Sequence, residues 1–290
     1  MTQVPRFRME GRDNMPGADK QTASLDIEAK RSELELILQE MGRVALAFSG
    51  GVDSTLLLKV SSEYLGANNV LAITVSSPIH PVREQREAET LAQSLGVPHI
   101  LVKSDELQNE DFVANPPDRC YQCKFTRFGD LVKIARSHGF DYVLDGSNTD
   151  DLNDYRPGQK AAQQHGVRSP LQEAGFSKSD IRALSKSLDL PTWNRPSQAC
   201  LASRFPYGER ITAEGLGRVD RAEEFLRNIV SGQIRVRHHG DLARIEVEPD
   251  QFSLLLAQRE NISTHLKSLG FAYVTLDLIG FRSGSMNEVL

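Results

Sequence analysis

The chain predicts an α/β protein: a parallel, Rossmann-like sheet covered by helices on both faces, followed by a small α+β domain. Three observations carry this expectation. Apolar runs of strand length alternate with helical stretches between about residues 44 and 145. The first of these runs breaks at Gly50-Gly51 and re-enters as a helix. After about Pro206 the pattern changes to helix, strand, strand, helix, strand.

Residues 1–22 are polar with scattered Gly and Pro, and are expected to fray. Residues 26–41 carry Leu34, Leu36, Ile37 and Met41 as the apolar stripe of a helix. A strand follows over 44–48, then the turn 49–54 and a helix to about residue 64. The apolar run 70–75 is a second buried strand. A helix over 82–95, a strand over 97–102, a helix over 124–138 and a short strand over 141–144 complete the alternation. Ligands of such sheets sit at the carboxyl ends of the strands. The stretches 49–54, 76–78 and 145–151 all lie at such ends and are expected to converge on one crevice. Beyond Pro206 a helix is expected over 213–230, strands over 233–238 and 242–247 joined at His238-His239-Gly240-Asp241, a helix over 249–269 and a last strand over 273–279. The expected domains are 23–206 and 207–290, preceded by the frayed residues 1–22.

A chain of 290 residues suits two domains, and 39% apolar with 25% charged residues suits a soluble protein with a real core. The net charge of −5 offers no general basic field for nucleic acid. Arg6, Arg8, Glu10, Arg12 and Asp13 surround no apolar core, so the start does not read as a signal peptide. No apolar run reaches membrane-spanning length, and a cytoplasmic location is expected. Three cysteines argue against a disulfide framework.

Ser49-Gly50-Gly51-Val52-Asp53-Ser54 has the makings of an anion cradle. Glycines allow close backbone approach, and the helix N-terminus aims free N–H groups at the anion. Ser49 and Ser54 add hydroxyls, and Asp53 beside a phosphate makes sense with Mg²⁺ between them. No Lys-Ser or Lys-Thr closes the turn, so it is not a GxxxxGK[ST] loop. It resembles the SGGxDS pyrophosphate loop of N-type ATP pyrophosphatases, which cleave ATP between the α- and β-phosphates and adenylate a substrate oxygen. The competing reading is an ordinary glycine turn. The stretch 145–151 reads either as a solvated turn or as a second nucleotide loop, with Gly146 for close approach and carboxylates for Mg²⁺. Arg168-Ser169-Pro170-Leu171 and Lys178-Ser179-Asp180-Ile181-Arg182 resemble the segment that begins a helix returning toward the phosphates in related synthetases.

Cys120 and Cys123 form a CxxC pair, compatible with a redox dithiol, half a zinc site or part of an iron–sulfur site. Preceded by Asn115-Pro116-Pro117-Asp118, the pair does not look thioredoxin-like. If Cys200 folds beside them, three thiolates can hold a [4Fe–4S] cluster and leave one iron open. The bland alternative is three buried free thiols. Arg204 and Arg210 are expected to raise the thiolate fraction of Cys200. Arg235 and Arg237 share one face of a strand. They read as a fork for phosphate or carboxylate, or as a solvated edge, with Glu246 and Glu248 on the facing strand able to neutralise them or ligate a divalent ion.

Together with Cys-Leu-Ala-Ser-Arg-Phe-Pro-Tyr-Gly (200–208), Arg-Val-Arg-His-His-Gly (235–240) and the ending Gly-Phe-Arg-Ser-Gly-Ser-Met-Asn (280–287), the chain resembles the LarE family over roughly residues 25–290. These are ATP-dependent sulfur transferases of nickel-pincer nucleotide cofactor biosynthesis. The resemblance implies an ATP-pyrophosphatase domain and a C-terminal domain that helps build a homo-oligomer. It implies adenylation of pyridinium-3,5-biscarboxylic acid mononucleotide and displacement of AMP by sulfur. It puts ATP on Ser49, Gly50, Gly51, Asp53, Ser54 and Gly146, with Mg²⁺ at Asp53. Cys200 and Asp53 become the catalytic residues, and Arg235 and Arg237 the substrate-phosphate pair. Members with only the CLASR cysteine give up its sulfur. Members with three cysteines are thought to carry a [4Fe–4S] cluster with an extra sulfide, here on Cys120, Cys123 and Cys200. The sulfur donor is not legible. Competing readings are a tRNA thiolase, disfavoured by the lack of a basic surface, and an amide-forming ATP pyrophosphatase, which needs no CxxC. A non-catalytic nucleotide- or cluster-carrying scaffold is disfavoured by the intact Asp53 and Ser54.

Overall fold

The computed structural model describes residues 18–153 and 157–288. Its first sheet is four-stranded and wholly parallel, in the order β3-β2-β1-β4. The strands are β1 (Val44–Ala47), β2 (Val70–Ser76), β3 (His99–Lys103) and β4 (Tyr142–Leu144). Helices α1 (Ala18–Met41), α2 (Val52–Leu65) and α3 (Val82–Ser94) alternate with these strands. The short α4 (Glu110–Val113) and the long α5 (Arg119–Ser137) precede β4. After it come α6 (Pro157–Gln164), α7 (Pro170–Glu173) and α8 (Lys178–Ser187).

Burial on both faces explains the unbroken apolar runs of β1 and β2. The period-two pleat sends Val44, Leu46, Val70 and Ala72 into a core shared with α1, α2, α3 and α8. It sends Ala45, Leu71 and Ile73 into the opposite core, against α5 and α6. A single parallel bridge, Leu144 to Arg168, carries the sheet edge past β4.

The second unit runs α9 (Ala213–Leu226), β5 (Ile234–His239), β6 (Leu242–Val247), α10 (Phe252–Ala257), α11 (Arg259–Ser268) and β7 (Tyr273–Leu276). β5 and β6 form an antiparallel hairpin, His239 opposite Leu242, and β7 pairs parallel with β6. Gly240 turns the hairpin at φ +58°, a conformation that favours glycine. Its core is separate from the first two. A fourth apolar cluster joins the units: Ile79, Phe112, Val113 and Cys123 pack with Leu201, Phe205, Ile211, Leu216 and Val219. Buried Asn115 ties the same junction, its Nδ2 donating to the carbonyls of Pro206 (2.7 Å) and Glu209 (3.1 Å).

The differences from expectation have local causes. The frayed segment expected over 1–22 lies outside the described residues as far as 17, and from Ala18 the chain is helical. Helix α5 starts at Arg119, not Lys124. Pro116-Pro117 ends what precedes it, and Asp118 takes the N-cap position, its carboxylate accepting from Gln122 Nε2 at 3.1 Å. Cys120 and Cys123 therefore ride on its first turn. The helix expected over 249–269 is broken at Gln258, between α10 and α11. The last strand stops at Leu276, because the Asp277 carboxylate captures the Ile279 N–H at 2.9 Å and turns the chain.

Candidate active site

The phosphate loop runs from β1 into α2. Gly50 has φ +70°, and a Cβ on it would stand 3.2 Å from both Cα and Cβ of Ala88 on α3. Glycine is thus required there twice over, by conformation and by space. Ser49 Oγ accepts the Gly51 N–H at 3.3 Å and lies 3.2 Å from Ser54 Oγ, which donates to the Gly51 carbonyl at 3.3 Å. Asp53, in the first turn of α2, pairs with Lys178 at the start of α8 and accepts from Asn148 Nδ2 at 3.3 Å.

The loop 145–151 stands against that helix N-terminus. A Cβ at Gly146 would meet Ser54 N at 3.1 Å and Asp53 Cβ at 3.2 Å, so its close approach is made to α2 itself. Side chains lace the loop internally. Asp145 accepts from Ser147 and from Ser169 Oγ (2.7 Å), and Asp151 accepts the Asn148 N–H at 3.0 Å. Helix α8 opens on a capping box, Ser177 with Asp180, which fixes where Lys178 points.

These elements enclose a cavity of about 670 Å³. Its apolar floor includes Ala47, Ile73, Val75, Phe128 and Leu131, and Ser49, Gly51, Asp53, Ser54 and Gly146 form one wall. The segment 195–200, ending in Cys200, and Gln233 line it as well. Lys124, Arg127, Lys178, Arg182 and Arg195 line it together with the carboxylates of Asp53, Glu84, Asp145, Asp150 and Asp151, a mixture that suits phosphates accompanied by a divalent cation. Of the three loops expected to converge, 49–54 and 145–151 line it. Ser77 instead turns inward to the Glu106 carboxylate and supports the wall from behind.

Of the three cysteines Cys200 lines this cavity, while Cys120, at an exposed position, and buried Cys123 stand nearby on the first turn of α5. Cys123 is buried beside Cys200 in the junction cluster, and the Cys200 charge acts on both Cys120 and Cys123. Burial pushes the Cys123 thiol up to about 12 and raises Cys120, while Arg119 and Lys124 oppose the rise at Cys120 and Arg127 at Cys123. Three thiols with Arg119, Lys124 and Arg127 nearby are the donor chemistry an iron–sulfur cluster takes. As they stand, no group of three His, Cys, Asp or Glu side chains among the described residues is arranged to hold a metal ion.

The arginines behave differently from expectation. Arg210 forms an exposed pair with Glu110 (2.8 and 2.9 Å) rather than facing Cys200. Arg204 is buried, clasped by Glu223 at 2.8 and 2.9 Å, and its Nη1 donates to the carbonyls of Ala199 (2.8 Å) and Cys200 (3.1 Å). Arg237 is held by Glu246 (3.0 and 2.7 Å) and Ser285 (2.9 Å), the cross-strand neutralisation left open by the sequence. Arg235 donates to Ser197 O at 3.0 Å. Burial, then the Arg204 charge, pulls it down to about 10, so it stays cationic at neutral pH.

Sequence reasoning missed Arg195, His80 and Arg127. Arg195 Nη1 donates to Gly50 O at 2.8 Å and its Nη2 meets Glu87 at 2.7 Å, a contact between residues with no motif spacing. Arg127 lies one helical turn past the CxxC, and that spacing was the available signal.

The parallel sheet, the glycine cradle and the helix N-terminus beneath it define an enzyme of the ATP-pyrophosphatase class. The NAD synthase family model matches residues 30–111, which hold β1 to β3 and the phosphate loop. An uncharacterized protein of Synechocystis is 46% identical over 91% of this chain and 99% of its own length. A pyridinium-3,5-bisthiocarboxylic acid mononucleotide synthase of Lactiplantibacillus plantarum is 42% identical over 90% of this chain and 95% of its own. A tRNA-specific 2-thiouridylase of Thermus thermophilus is 30% identical over 54% of this chain and 53% of its own. The chain belongs to the LarE family of ATP-dependent sulfurtransferases, the family of the Lactiplantibacillus synthase. No helix among the described residues is long and apolar enough to cross a membrane.

Proposed function

We propose that this chain adenylates a carboxylate of pyridinium-3,5-biscarboxylic acid mononucleotide and exchanges the AMP for sulfur, forming a thiocarboxylate of the nickel-pincer nucleotide pathway. The carrying observation is that the phosphate loop and Cys200 line the same cavity. A carboxylate oxygen attacks the α-phosphorus of ATP and pyrophosphate leaves. The resulting mixed anhydride has AMP as a good leaving group. A sulfur nucleophile adds to its carbonyl carbon, and AMP departs.

In this reading Ser49, Gly50, Gly51, Asp53 and Ser54 seat the pyrophosphate end of ATP over the α2 N-terminus. Gly146 lets the loop 145–151 close on it. Asp53 would hold Mg²⁺, which usually takes one or two carboxylates plus phosphate oxygens and would supply charge neutralisation there, with Lys178 beside it available to the phosphates. Cys120, Cys123 and Cys200 would hold a [4Fe–4S] cluster, whose open iron supplies a binding place for sulfide. Arg119, Lys124 and Arg127 would offset the thiolate charge. For Arg235 and Arg237 to grip the substrate phosphate, they must first leave Ser197, Ser203 and Glu246. The domain boundary falls near residue 206, supported by the separate core of the second sheet. A cytoplasmic homo-oligomer completes the proposal, supported by the exposed Leu254, Leu256, Tyr273, Leu278 and Ile279 of the C-terminal domain.

The test is anaerobic expression, a visible spectrum with iron and sulfide analysis, and intact mass after reaction with ATP and substrate. Pyrophosphate release that depends on the pyridinium dicarboxylate is expected, with a broad absorption that is lost in Cys120→Ala. Loss of one H₂S from Cys200 would replace the cluster with a sacrificial cysteine. No pyrophosphate release from either form would end the proposal.

A further inference from the structure

The wall that carries Cys200 has almost no secondary structure of its own. Residues 195–200 are irregular, and a short 3₁₀ turn begins only at Leu201. Its carbonyls are held by guanidinium groups from elsewhere in the fold. Arg182 of α8 donates to Trp193 O and Arg195 O, both at 2.9 Å. Arg235 donates to Ser197 O, Arg204 to Ala199 O and Cys200 O, and Arg237 to Ser203 O at 3.2 Å. Arg204 is in turn clasped by the fully buried Glu223, so this prop is stiff.

One contact runs the other way. Arg195 extends from the segment, donates to the Gly50 carbonyl of the phosphate loop at 2.8 Å and is steadied by Glu87 of α3 at 2.7 Å. Gly50 itself sits at φ +70°, where an added Cβ would meet Ala88 at 3.2 Å, so this point of the loop is reserved for glycine. Arg195 thus ties the cysteine segment directly to the phosphate loop, beside the indirect tie through α8, whose Arg182 holds the segment and whose Lys178 pairs with Asp53.

We infer that Arg195 is a positioning residue that sets Cys200 in register with the phosphate loop, so that sulfur is delivered where ATP has been cleaved. This inference rests on the sulfur-transfer reading above. A misplacement of about 1 Å between reacting groups can cost about a hundredfold in rate. Releasing the tie harms delivery of sulfur far more than activation of the acid. A merely structural arginine would lower both steps together.

The experiment uses the full chain carrying Arg195→Gln and, separately, Glu87→Gln, which removes the second anchor without touching the phosphate loop. Two quantities are read. The first is the ratio of acid-dependent ATP–pyrophosphate exchange, at saturating ATP, to single-turnover thiocarboxylate formation. The second is the alkylation rate of Cys200 by iodoacetamide, followed by peptide mass mapping of iron-free protein. In Arg195→Gln, transfer should fall about tenfold further than exchange falls, and Cys200 alkylation should quicken severalfold. Glu87→Gln should shift both in the same direction by less. Equal loss of exchange and transfer, or unchanged Cys200 alkylation in both variants, overturns the inference. If the parent chain shows no exchange with the pyridinium acid, the proposed function fails, and the alkylation rates alone still decide the role of Arg195.

Discussion

Glu223 on α9 offers the sharpest stability test. Its carboxylate is completely buried and takes Arg204 through both oxygens, at 2.8 and 2.9 Å, while also accepting the Val236 N–H of β5 at 3.0 Å. Burial by itself would raise its pKa. The Arg204 charge and hydrogen bonds override this and hold it below the usual carboxylate range. Glu223→Ala leaves a guanidinium with a 4% exposed side chain and no carboxylate clasp. Breaking a buried pair from one side costs about 3–5 kcal/mol, a large share of the roughly 5–15 kcal/mol that holds a typical domain. Urea titration followed by circular dichroism should show that loss. Arg204→Met/Glu223→Leu should recover much of it, because removing both charges removes the uncompensated one. Because the folded-state pKa of Glu223 is depressed, its contribution is present above the unfolded value near 4.5. It is lost as pH falls through the lower folded value. A cost below about 1 kcal/mol for Glu223→Ala, or a double variant as unstable as the two singles summed, would refute this reasoning.

Gly50→Ala should cost about 1–2 kcal/mol from its left-handed backbone, with more from the Ala88 contact, and should weaken ATP–pyrophosphate exchange. A melting temperature and exchange rate equal to the parent's would count against a packed phosphate loop. Burial, reinforced by the Arg127 charge, pushes the His80 imidazole from 6.5 down to about 3. The unfolded chain therefore binds the extra proton between those values, and stability should fall on acidification below about pH 6.5, with a shallower fall in His80→Gln. Identical pH profiles of unfolding for the two proteins would contradict it. Arg210→Ala should leave the melting temperature and Cys200 alkylation unchanged, since its pair with Glu110 is exposed. Faster or slower alkylation in that variant would reopen a role for Arg210 at the cysteine.

The phosphate loop was legible because its chemistry is local. A strand, two glycines and a helix start within a few residues, and nothing distant is needed to aim the α2 N–H groups. The alternation of β1 to β4 with helices was equally plain, since two-sided burial leaves unbroken apolar runs. The expected start of α5 was wrong because apolar periodicity begins only past the CxxC, whereas Pro116-Pro117 and the Asp118 cap decide where helical hydrogen bonding can begin. Arg235 and Arg237 looked like an open fork because a strand pattern reveals which face a side chain takes. It does not reveal that Glu246 and the carbonyls at 197 and 203 wait on that face. Arg204 and Arg210 were indistinguishable as neighbours of Cys200 in sequence, and the fold sent one inward to Glu223 and the other out to Glu110.

By itself the amino-acid order settled the architecture, the ATP-binding class and the family, because periodicity, turn chemistry and short motifs are properties of neighbouring residues. Tertiary structure alone decided which charges are free and which are bound. It joined Asp53 to Lys178, Arg195 to Gly50 and Arg204 to Glu223 across long stretches of chain. The physical reason is that an ion pair or a propped carbonyl depends on three-dimensional separation and on burial. Both are fixed only when the α/β cores and the second sheet close around the irregular segment that carries Cys200.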